Sequence, residues 1–93
     1  MQEIIIDIVL IRDPYRYTEF KVVTNKQGYL LHKAKLERER KKIVNYLKQF
    51  KKEGIIKSIW IPKNRRIQKQ LNELVRLKRT IDKSLQKINE FFR

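Results

Sequence analysis

The residues best suited to chemistry in this 93-residue chain are cationic and amide side chains that recur at helical spacing. Arg38, Lys41, Asn45, Lys48 and Lys52 follow one another at intervals of three and four, which places them on one side of a helix, with Lys42 and Gln49 flanking. Lys and Arg on such a face reach phosphate or guanine, and Asn or Gln can pair bidentately with adenine. No acidic residue falls within the stripe, so groove or backbone contact outweighs an ordinary solvated face. A second cationic group, Lys63, Arg65 and Arg66, follows an apolar strand as a basic turn suited to phosphate or minor-groove contact. Trp60, just before it, can stack on a base, though a lone Trp in a short strand more often belongs to a core.

Other chemistries are thin. His32 is the only histidine and has no metal-ligating neighbours in sequence, so it reads as an ordinary helix residue. Zero cysteines exclude a disulfide framework and a thiolate zinc site. Ser58 and Ser84 lack an adjacent base, and there is no glycine-rich loop to cradle phosphate. Asp13 followed by Glu19-Phe20-Lys21 resembles the acidic pair and lysine of PD-(D/E)XK nucleases, whose carboxylates hold Mg²⁺. The pattern is short and common by chance, so the expectation is a protein that catalyses no reaction and carries no cofactor or metal.

Composition sets the frame for these residues. Charged residues make up 37% of the chain, against a usual level of about 25%. The net charge of +14 favours a polyanionic partner. With 41% hydrophobic residues the chain is not disordered, and its length fits one domain spanning residues 1–93. The charge is uneven. Residues 1–26 carry four basic and four acidic groups; residues 27–53 carry nine and three, giving +6; residues 54–93 carry eleven and three, giving +8. The apolar run Ile4–Ile11 is interrupted by Asp7 and falls short of the roughly 20 residues a membrane span needs. No basic n-region precedes it, so a cytoplasmic protein without a membrane partner is expected.

The elements that must position the cations follow from periodicity, and they predict an α+β fold. Glu3–Ile11 is rich in β-branched residues, with Ile4, Ile6, Ile8 and Leu10 on one face, and reads as a strand; a short helix remains the alternative. Asp13-Pro14 punctuates it, and Glu19–Thr24 reads as a second strand, giving a hairpin whose loop holds Arg12, Tyr15, Arg16 and Tyr17. A long basic helix over about 27–53 carries Tyr29, Leu36, Ile43 and Phe50 at intervals of seven, with Leu47 between, and Gly54 stands at its C-terminal stop. A short strand is expected at 55–61. A long amphipathic helix over about 65–93 follows, with Ile67, Leu74, Ile81 and Ile88 at sevens and Leu71, Lys78, Leu85 and Phe92 offset by four. That stripe suits a core helix and a dimerisation helix equally, so Leu71, Leu74, Ile81, Leu85, Ile88 and Phe92 are the residues expected to hold a homodimer.

The stretch Leu36–Arg66 resembles the recognition helix and wing of winged-helix DNA-binding domains. The likeness lies in the spacing of Tyr46, Leu47, Phe50, Gly54, Ile55 and Ile56, with Pro62–Arg65 as a wing tip. The resemblance implies duplex recognition by the basic helix and dimerisation through the last helix. The N-terminus departs from it, since winged helices begin with helices. The expected function is therefore a small basic protein that binds nucleic acid, duplex DNA foremost, as a transcriptional regulator or architectural homodimer. Two rivals stand beside it: an adaptor or inhibitor that binds an acidic protein, and an RNA-binding protein using Tyr15, Tyr17 and Phe20 to stack on bases.

Overall fold

Strands β1 (Glu3–Asp13) and β2 (Arg16–Asn25) are followed by helices α1 (Tyr29–Lys52) and α2 (Arg65–Phe91) in the computed structural model, which describes residues 2–52 and 65–92. The layout is α+β, a two-stranded antiparallel hairpin and then two helices. The strand expected at 55–61 lies outside the described residues, as do Trp60 and Lys63.

The hairpin differs from its sequence reading in one respect. Arg12, Arg16 and Tyr17 belong to the strands, and only Pro14 and Tyr15 connect them. The Asp13 side chain makes so short a turn possible: its Oδ1 accepts from the Tyr15 amide at 2.8 Å, while a register shift between Ile11 and Asp13 absorbs the extra residue. At the other end of β2, the Asn25 carboxamide oxygen accepts from the amides of Gln27 and Gly28 at 3.1 and 3.0 Å, turning the chain into α1.

β1 is the inner strand. Its neighbours Ile8 and Val9 point to opposite faces and are both fully buried, so the middle of the strand is covered on both sides. Ile4, Ile6 and Ile11 are buried with them, whereas of β2 only Thr24 is buried. Leu36 and Ile43 of α1 and Leu71, Leu74, Leu77, Ile81 and Ile88 of α2 supply the cover. Tyr29, at the start of α1, stacks on Phe92, just beyond α2, with ring centroids 4.6 Å apart. The helices therefore run antiparallel.

The α2 stripe is consequently spent inside the chain. Leu74, Ile81 and Ile88 are at most 1% exposed and Leu71 8%, while Leu85 and Phe92 pack half-buried against the same core. These side chains thus pack within their own chain, which is the core-helix alternative for the stripe. The physical reason lies in the hairpin: two strands are marginal alone, and among the described residues the helices cover the apolar β1.

Among the described residues β1 has one strand partner, and helix side chains reach its other edge. Ser84 is hydrogen-bonded to both backbone groups of Asp7, and Lys87 Nζ donates to the Ile5 carbonyl at 2.7 Å. From α1, Glu39 accepts from the Ile11 amide at 2.8 Å and Lys42 donates to the Ile11 carbonyl at 3.3 Å. The two helices thus satisfy alternate backbone positions of β1 as a third strand would.

Candidate nucleic-acid interface

α1 has an apolar back, and its front follows from that. Leu36 and Ile43 are locked in the core, with Leu47 and Phe50 packed against it. The helical period then turns Arg38, Lys41, Asn45 and Lys48 to the far side, where all four are exposed, with Gln49 exposed beside them. No ion pair among the described residues involves Arg38, Lys41 or Lys48. Lys52 closes the helix.

Lys42 does not join this face. Its ammonium turns to the hairpin, pairing with Glu39 at 3.0 Å as well as with the Ile11 carbonyl. The cause is Glu39, a carboxylate only 5% exposed that already holds the Ile11 amide and attracts the nearest cation on its helix. Arg40 is likewise occupied, donating to Asp82 of α2 at 2.7 Å, while Lys78 pairs with the same carboxylate at 3.0 Å. Burial opposes ionisation of Asp82, but the hydrogen bonds from Arg40 and Lys78 outweigh it and hold its carboxyl below the usual range.

Arg65 and Arg66 begin α2, so they belong to a helix and not to the turn in which the sequence placed them. Arg66 is exposed there, and farther along the outer side of α2 stand Lys69, Arg79 and Lys83, also exposed. These three were not singled out from the sequence; the signal for them was the surplus of basic residues after position 53, read against the stripe of Leu74, Ile81 and Ile88.

Between the hairpin tip and the first turns of α2 lies a cleft of about 520 Å³ lined by Tyr15, Tyr17, Arg66, Lys69, Gln70 and Glu73. Gln70 donates to the Pro14 carbonyl and fastens the tip to the helix. Tyr17 donates to Glu73 at 2.5 Å, and Arg76 grips Glu19 through two bonds of 2.9 and 3.0 Å while also holding Glu73 at 3.1 Å. The hydrogen bond to Glu73 and partial burial push the Tyr17 phenol up. Bonds from Arg76 and Tyr17 bring Glu73 down, and its bonds to Glu19 and Glu73 raise Arg76 further.

The carboxylates of the nuclease-like pattern are engaged by different partners. Asp13 serves the turn and lies 3.6 Å from Arg16, whereas Glu19 is held by Arg76. Among the described residues no three His, Cys, Asp or Glu side chains are grouped to hold a metal ion, and no helix is long and apolar enough to cross a membrane. In comparisons with known proteins, no family model matches the chain, and no match is found among curated proteins or solved structures.

Proposed function

We propose that this protein binds nucleic acid, duplex DNA foremost, and does so by laying the outer face of α1 in the major groove. The observation that carries the reading is that Arg38, Lys41, Asn45 and Lys48 stand exposed on one face, with no ion pair among the described residues on its cations. Their helix is held from behind by Leu36 and Ile43. A helix fits the major groove, cations there neutralise phosphates, and an amide among them reads base edges. Lys69, Arg79 and Lys83 extend the positive surface along α2, and the net charge of +14 draws the chain to a polyanion. The role is regulatory or architectural, and the reading needs only one copy of the chain.

Binding to a labelled duplex across a salt series tests this. If about six phosphates are neutralised, log K against log salt falls with a slope near −5. A flat response, or no binding at low salt, removes the reading and leaves an acidic protein partner as the explanation of the basic surface.

A further inference from the structure

We infer that the cleft between the hairpin tip and α2 is a second nucleic-acid site, one that takes a single unpaired nucleotide. The inference shares the nucleic-acid reading above but does not use the α1 face. Its first support is Tyr15, a residue 65% exposed on a two-residue turn. That turn is fixed from both sides: Asp13 holds the Tyr15 amide, and Gln70 holds the Pro14 carbonyl. The backbone that carries this exposed ring is thus held, so stacking on it costs no further backbone freedom.

The surroundings give the site a direction. Arg66 and Lys69 line the cleft from the first turns of α2, and Arg16 adds a cation at the tip, its side chain 73% exposed beside Asp13. Glu73 lies on the opposite chemical footing: hydrogen bonds from Arg76 and Tyr17 keep it ionised. A carboxylate repels phosphate and accepts from the exocyclic amines of bases. The phosphate therefore belongs beside Arg66 and Lys69 and the base against Tyr15 and Glu73. The cleft of about 520 Å³ is ample for one nucleotide. A base within a duplex offers neither its face nor its pairing edge, so the ligand is a single-stranded segment.

The test compares the full chain with Tyr15→Ala, Tyr15→Phe and the triple variant Arg38→Ala/Lys41→Ala/Lys48→Ala. Each is titrated with dye-labelled ten-nucleotide single-stranded RNA, single-stranded DNA of the same sequence, and the corresponding blunt DNA duplex. Tyr15→Ala is expected to weaken single-strand binding about tenfold, as loss of one stacked base does, with Tyr15→Phe near wild type and duplex binding unchanged. Tighter binding of the RNA would assign the site to a 2′-hydroxyl-bearing strand; equal binding would assign it to either strand. Unchanged single-strand affinity in Tyr15→Ala, or an equal loss on the duplex, overturns the inference. The triple variant separates the two sites, because it should lose duplex binding and keep the Tyr15-dependent single-strand binding. If the wild type ignores duplex while Tyr15→Ala weakens single strands, the α1 reading fails and the cleft stands.

Discussion

The hydroxyl of Ser84 donates to the Asp7 carbonyl at 2.8 Å and accepts from the Asp7 amide at 3.2 Å. One side chain near the C-terminus thus serves both backbone groups of a residue near the N-terminus, in the place of a neighbouring strand. Ser84 is 4% exposed, so water cannot replace it cheaply. Ser84→Ala is expected to cost about 1–3 kcal/mol by leaving both groups unpaired. Urea unfolding measures the cost, and hydrogen exchange at the Asp7 amide should accelerate. A change below a few tenths of a kcal/mol would show the contact to be incidental.

Glu39 fills the same edge from α1, and its two contacts can be weighed apart. Glu39→Ala strips the Ile11 amide of a charged acceptor and should cost about 1.5–3 kcal/mol. Glu39→Gln keeps an acceptor oxygen and should cost less. Lys42 is partly exposed, so Lys42→Met should cost no more than about 1 kcal/mol. A Lys42 effect as large as that of Glu39→Ala would mean that the ion pair, not the amide contact, dominates.

The α2 stripe faces its own chain, and substitution there has a corresponding outcome. Leu74→Ala is expected to destabilise by about 2–5 kcal/mol. Leu74→Lys and Ile81→Lys should abolish folding by burying unpaired charge. Circular dichroism and mass in solution, read together, decide the matter. A variant that stays folded while its mass halves would show that the stripe meets another copy.

Two carboxylates confer acid sensitivity. Glu73 and Asp82 are both held below their ordinary values, so they bind protons less readily folded than unfolded. Their contribution is complete above the unfolded carboxylate range, about 4, and is lost as pH falls through the lower folded values. The melting temperature should therefore drop below about pH 4, and the double variant Glu73→Gln/Asp82→Asn should flatten that slope. An unaltered slope would assign the acid response to other groups.

On α1 the cations and the amide should behave differently. Lys41→Ala or Lys48→Ala should weaken every duplex about equally and reduce the salt slope by roughly one unit. Asn45 carries no charge, so Asn45→Ala should leave that slope alone while costing roughly 1–3 kcal/mol on a preferred site and little on random DNA. Equal small losses on both would make the helix an electrostatic clamp and favour the architectural role.

The sequence by itself determined the two helices, near 27–53 and near 65–93 against Tyr29–Lys52 and Arg65–Phe91 in the structure, and favoured a hairpin before them over a short helix at Glu3–Ile11. It also determined that Arg38, Lys41, Asn45 and Lys48 share a side opposite Leu36 and Ile43, because side-chain period is a local property of the backbone. The tertiary structure alone decided what each face meets. An apolar stripe fits its own strand as well as a second copy, so only packing placed Leu74, Ile81 and Ile88 inside the chain. Lys42 has the same spacing as its neighbours but is turned away by Glu39, and Glu39 and Ser84 acquire their roles from a strand edge far away in sequence. No residue type announces such a contact, since the unpaired amide that creates the demand belongs to the backbone and is the same for every residue but proline.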